Sequence, residues 1–186
     1  MTAAPRGTLV LVVGPSGAGK DSLIDGARAA LAGDPRFVFA HRVITRPADA
    51  GGEAHEAATA DAFAARRAAG GFLLSWHAHG LDYGIPAAVG ADLAAGRHVV
   101  ANVSRAVIAD AAAASPPVLT IEVTAPPAVL AARLAARGRE TAADVAGRLA
   151  RAGASVPPGV AHVQVVNDGT LEQGIARFVA ALRSLG

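Results

Sequence analysis

The run Gly14-Pro15-Ser16-Gly17-Ala18-Gly19-Lys20-Asp21 sets three glycines, a lysine and an acid side by side. That set of residue types can hold a polyphosphate. Glycines let backbone N–H groups close around anionic oxygens, a following helix offers its positive dipole end, and the lysine neutralises the transferring phosphates. The residue after the lysine is ordinarily Ser or Thr, whose hydroxyl ligates magnesium; here it is Asp21, followed by Ser22. A carboxylate beside phosphates repels them unless a divalent cation lies between, where it is a stronger ligand than a hydroxyl. Asp21 is therefore read as a magnesium ligand, direct or through water. The competing reading is an acid in a first helical turn, favoured by the dipole. Residues Gly14 to Ser22 are the expected nucleotide-binding stretch, with Lys20 and Asp21 in the chemistry.

Other residues suit a second anion. Arg42 and Arg46 stand four apart, and on a strand both guanidiniums would share a face and converge on one dianionic group. Glu53 and His55 follow in the same polar loop, and Tyr83 carries a hydroxyl able to donate to a phosphate oxygen. Trp76 and Tyr83 read equally as a stacking platform or as core. His77 and His79 alternate on one strand, yet the chain has no Cys and no His-Glu-x-x-His helix to support a zinc site. Arg133, Arg137, Arg139, Arg148 and Arg151 bracket a Gly-containing hinge, the layout of an arginine-bearing flap that closes over phosphates. Arg137 and Arg148 are the expected catalytic pair, in a lid over about residues 137–151.

The elements that must position these groups are legible from patterning. Residues 8–13 read as a buried strand feeding the glycine loop, and 20–32 as its helix. A second strand is expected over 37–44, and Thr59 caps a helix through 60–69. Strands are expected at 72–76, 97–103, 118–123 and 162–166. Helices are expected at 86–95 (opened by Pro86), after Ser104, from Pro126-Pro127 to about 137–139, at 141–151 and at 170–184. Alternating strands and helices imply an α/β fold with a mostly parallel sheet covered on both faces and a ligand crevice beyond the strand carboxyl ends. With 186 residues, 52% hydrophobic, the chain is expected to be one domain, 1–186, with an acceptor-binding region at about 42–84. A net charge of +2 favours small anions over nucleic acid, and no apolar run is long enough to cross a bilayer. A cytoplasmic protein is expected, and oligomeric state stays open.

The whole chain resembles the guanylate kinase family of P-loop kinases. The shared residues are the cradle through Lys20, Thr45-Arg46-Pro47, Gly52-Glu53, Trp76 with His79-Gly80, Tyr83-Gly84 and Val166-Asn167-Asp168. The details depart from guanylate kinases: Ser75 stands where a glutamate before the tryptophan reads guanine. Without that reader, discrimination for GMP falls by a factor on the order of 10⁴. Gly19-Lys20-Asp21-Ser22, Arg42 to Pro47 with Gly51-Gly52-Glu53 and His55, and Trp76 with Ala78-His79-Gly80-Leu81 and Tyr83 to Pro86 resemble instead the ribose 1,5-bisphosphate phosphokinases of phosphonate catabolism. That resemblance implies a nucleoside-monophosphate-kinase-like parallel sheet flanked by helices, with acceptor-binding and lid subregions. It also implies transfer of the γ-phosphoryl of ATP, with Mg²⁺, to the 1-phosphate of a small phosphorylated sugar. Arg42, Arg46, Glu53, His55, Ser75, Tyr83, Asn102 and Arg105 are the implied substrate-binding residues. A guanylate or other nucleoside monophosphate kinase is the alternative; a non-catalytic binding module fits less well with an intact Lys20. An ATPase or GTPase switch lacks a clear water-positioning residue.

Overall fold

The computed structural model describes residues 5–50, 52–114, 117–136 and 156–186. Its scaffold is a five-stranded parallel sheet. β1 (Leu9–Val13) lies at the centre, and β2 (Phe37–Phe39), β7 (His98–Asn102), β8 (Val118–Thr124) and β9 (Ala161–Val166) complete the order β2-β7-β1-β8-β9. Every residue of β1 is buried, because both sheet faces are covered. On one face Val10, Val12, Ile121, Val123 and Val165 pack under helix α1 (Lys20–Ala30) and helix α6 (Leu171–Arg183). On the other, Leu9, Leu11, Val13, Val99 and Ala101 pack against helix α3 (Val89–Ala94), helix α4 (Ile108–Ala114) and a second sheet.

That second sheet is mixed, and the expected single parallel sheet does not account for it. Its order is β4-β3-β6-β5, with β3 (Val43–Ile44), β4 (Glu56–Ala57), β5 (Phe72–Ala78) and β6 (Leu81–Pro86). The strand expected over 37–44 is therefore two. Phe37–Phe39 pairs with β7 in the first sheet, and Val43–Ile44 pairs with β4 and β6 in the second. Both pieces are apolar and short, so periodicity alone could not locate the break between them. Likewise Pro86 closes β6 instead of opening α3, which begins at Val89. Trp76, Leu74 and Ile85 carry the second sheet onto the first.

The helix ends follow local chemistry. Thr59 accepts from the Ala62 N–H at the start of α2 (Ala60–Ala68), Ser104 caps the 3₁₀ turn Arg105–Val107, and Thr170 with Gln173 forms a reciprocal capping box on α6. Helix α5 (Pro127–Ala136) opens on proline, as expected from its sequence. The helix expected at 141–151 lies outside the described residues. No helix among the described residues is long and apolar enough to cross a membrane.

Candidate active site

β1 delivers the chain into the glycine loop, and the loop's shape needs glycine. Gly14, Gly17 and Gly19 have φ of 149°, 84° and 88°. A side chain on Gly14 would meet the Val123 carbonyl oxygen at 2.0 Å, and one on Gly19 would meet the Asn167 amide at 2.6 Å. Gly19 is also the N-cap of α1, left-handed and without any side-chain cap, so the first-turn N–H groups are turned toward the loop rather than consumed by a hydroxyl. Lys20 folds back across this cradle, donating to the carbonyls of Gly14 at 2.7 Å and Pro15 at 3.1 Å.

The far side of the loop is fastened by two residues from other elements. Asn167, buried just after β9, donates to the Ala18 carbonyl at 2.8 Å. Arg133, from the last turn of α5, donates to the Asn167 carbonyl at 3.0 Å and reaches the carbonyls of Gly17 and Ala18 at 3.4 and 3.5 Å. Among the flap arginines it is Arg133 whose contacts are visible; Arg137 and Arg148 lie outside the described residues. Its spacing from Arg137 hid this role, since one arginine among five carries no directional signal.

A shallow, open pocket is lined by Asp21, Asp25 and Arg28 of α1 together with Arg42, Glu53 and Asn102. Asn102, at the carboxyl end of β7, donates to Asp21 Oδ1 at 2.7 Å, which fixes the carboxylate. Arg42 pairs with Glu53, and both side chains are largely buried. Burial pushes the Arg42 guanidinium below its ordinary range and the neighbouring Arg46 adds to this, while Asp21 and Tyr83 pull it back up. The Nε atoms of Arg42, Arg46 and Arg105 are buried without a hydrogen-bond partner among the described residues. A buried guanidinium edge left unpaired is costly unless an anion satisfies it.

The expected acceptor residues are only partly brought together. Arg42 and Arg46 flank the two-residue β3 instead of riding one long strand, yet they stay within electrostatic reach of each other. His55 sits between the loop's two ends, with Nδ1 3.0 Å from the Glu53 carbonyl, Nε2 3.1 Å from the Arg46 carbonyl and the Arg46 head at 3.4 Å. It thus staples the loop that carries Arg46. Tyr83 is sandwiched: its ring stacks on Trp76 at 5.4 Å and 5° between planes, and the Arg42 guanidinium stands 5.2 Å from its centre. Trp76 is core, and Tyr83 bridges core and site. Ser75 pairs with Gly84, one register position from the Trp76–Tyr83 pair, and so alternates to the other face of the second sheet. Arg105 does not line the pocket. It is held by Glu122 at 2.5 Å, and His162 approaches the same carboxylate at 3.3 Å. His77 pairs with Asp82, and no group of three or more His, Cys, Asp or Glu that could hold a metal occurs among the described residues.

The chain is similar to the ribose 1,5-bisphosphate phosphokinase PhnN of Methylobacterium radiotolerans, at 53% identity over 96% of this chain and 98% of the relative. The chain belongs to the ribose 1,5-bisphosphate phosphokinase family. It is also 59% identical over 178 residues to the bifunctional ribose 1,5-bisphosphokinase-thymidine phosphorylase of Cupriavidus necator, covering 96% of this chain and 29% of that protein. The chain spans only 26–29% of the length of three such bifunctional relatives. A crystal structure of guanylate kinase from Anaplasma phagocytophilum has a TM-score of 0.67 at 16% identity, covering 99% of this chain and 88% of that one; the likeness extends to the fold. No protein-family model matches the chain.

Proposed function

We propose that the chain transfers the γ-phosphoryl group of ATP to the 1-phosphate of ribose 1,5-bisphosphate, giving 5-phospho-α-D-ribose 1-diphosphate and ADP. The observation that carries this reading is that one pocket is lined both by Asp21 of the cradle helix and by the largely buried Arg42, so donor and acceptor sites would share a wall. The relatives named for this activity match nearly end to end. The reading treats the chain as one kinase domain, acting in the cytoplasm in phosphonate catabolism on a small phosphorylated sugar.

The cradle N–H groups and Lys20 bind the donor phosphates, and Lys20 offsets the charge of the group in transit. The attacking atom is an oxygen of the acceptor phosphate, already ionised near neutral pH, so no protein base is needed and alignment dominates. Arg42, with Tyr83 beneath it, orients that acceptor; Arg46 is aimed by His55. Asp21 fits a magnesium site. A single oriented carboxylate beside a phosphate cradle is the donor set magnesium takes when phosphates and waters supply its other ligands. When bound, the ion neutralises charge on the β and γ oxygens. Asn102 then acts by holding Asp21, and Arg133 and Asn167 keep the cradle in shape.

An ADP-release assay with ATP and magnesium tests the reading, running ribose 1,5-bisphosphate beside GMP and identifying the product. Turnover with the sugar and none with GMP is expected. Turnover with GMP alone would make the chain a guanylate kinase and Ser75 a substitution without consequence for base recognition.

A further inference from the structure

Helix α1 brings a second arginine to the acceptor pocket. Asp21, Asp25 and Arg28 are four and three residues apart and so share one helix face, and all three line the pocket with Arg42. The Arg28 Nη1 donates to Asp25 Oδ1 at 2.9 Å, while its Nε is buried without a partner among the described residues. The guanidinium also lies 5.7 Å from the Phe39 ring centre at the end of β2, which braces it. The Nε–Nη2 edge is the one with which an arginine grips a phosphate through two parallel hydrogen bonds, and the Nε of that edge has no partner among the described residues.

The pocket's charges then fall into a simple order. Arg42 balances Glu53 and Arg28 balances Asp25, which leaves Asp21, turned by Asn102, on the cation side. From Asp21 to Arg28 is seven residues of helix, about 10 Å of rise at 1.5 Å per residue. That is the reach of a pentose carrying a phosphate at each end. We propose that Arg28 is a specificity-determining residue that binds the distal, 5-phosphate of the acceptor, while the Lys20–Asp21 end of α1 receives the reacting 1-phosphate. The inference rests on the acceptor being ribose 1,5-bisphosphate. It explains how the site distinguishes a bisphosphate from a monophosphate: the second anion is read from the far end of the helix whose near end carries the first.

Steady-state kinetics of the wild type, Arg28→Gln and Arg28→Lys, on ribose 1,5-bisphosphate and on ribose 1-phosphate, test it. Arg28→Gln should raise KM for the bisphosphate about 10- to 100-fold, the loss expected for charge-assisted hydrogen bonds, with KM for ATP unchanged. Arg28→Lys should recover only part, because an ammonium lacks the fork. On ribose 1-phosphate the wild type and Arg28→Gln should perform alike. A bisphosphate KM within about twofold of wild type, an equal loss on both acceptors, or a parallel loss of ATP affinity would each overturn the role of Arg28. A wild type inactive on ribose 1,5-bisphosphate would overturn the acceptor assignment as well, so the two failures are distinguishable.

Discussion

The two halves of the candidate site are made of different material. The donor cradle is backbone: a contiguous loop whose glycines occupy conformations closed to other residues, with its carbonyls pinned by Asn167 and Arg133. The proposed acceptor side is side chains: Arg42 on Glu53, Arg46 under His55 and Tyr83 on Trp76, with Asp21 of α1 on Asn102 at the wall between the halves. On the proposed reading, backbone recognises what every donor nucleotide shares, and paired side chains set what is accepted.

The sharpest way to break the donor half is Lys20→Ala. If Lys20 stabilises transition-state charge as proposed, its removal should lower kcat by about 10²- to 10³-fold, read by ADP release, with the fold intact by circular dichroism. On the acceptor half, Arg42→Ala strands Glu53 in a largely buried position. It should raise the acceptor KM at least about tenfold and cost about 2 kcal/mol of stability by urea denaturation, leaving the ATP KM unchanged. Equal losses for both substrates would erase the distinction drawn between the halves.

Asn102→Ala probes their shared wall. If Asp21 holds magnesium as proposed, the magnesium concentration giving half-maximal rate should rise about tenfold, and manganese binding followed by electron paramagnetic resonance should weaken in step. Arg46→Lys should weaken acceptor binding several-fold and ATP binding not at all. The smallest effect belongs to Asp34, outside both halves. Its hydrogen bond to Arg36 lowers the carboxyl from 3.8 to about 2. The stabilisation from this exposed pair is complete above pH ~4 and lost as pH falls through about 2. Asp34→Asn should therefore lower Tm slightly at pH 7 and less at pH 2.5, and an NMR titration of Asp34 should place its midpoint well below that of a free aspartate.

How much of this could be read from the chain differs between the same two halves. The glycine loop, the strand before it and the helix after it were all legible, because a backbone site is written in consecutive residues. The acceptor residues were legible as types and only partly as an arrangement. Alternation on one long strand was the wrong reason for pairing Arg42 with Arg46, since β3 is two residues long and the loop after it does the positioning. Arg105 entered as a residue implied by the resemblance; its ion pair with Glu122, a lone acid in an apolar strand, was not legible because the two residues lie on different elements. Arg28 was missed for a different reason: one face of α1 joins the cradle to the pocket, and no spacing within 20–32 reveals what lies across from it. Arg133 reached the cradle from a helix more than a hundred residues away in sequence.

One feature of α1 reaches beyond catalysis. Helix α1 starts on a left-handed glycine with no side-chain cap, so an anion bound at that end would add acceptors for its first-turn N–H groups. On the proposed reading a triphosphate bound there favours the native state, whose stability then rises with the logarithm of ligand concentration. Resistance of the protein to proteolysis should then rise with triphosphate concentration, read as the cleavage rate with and without ATP.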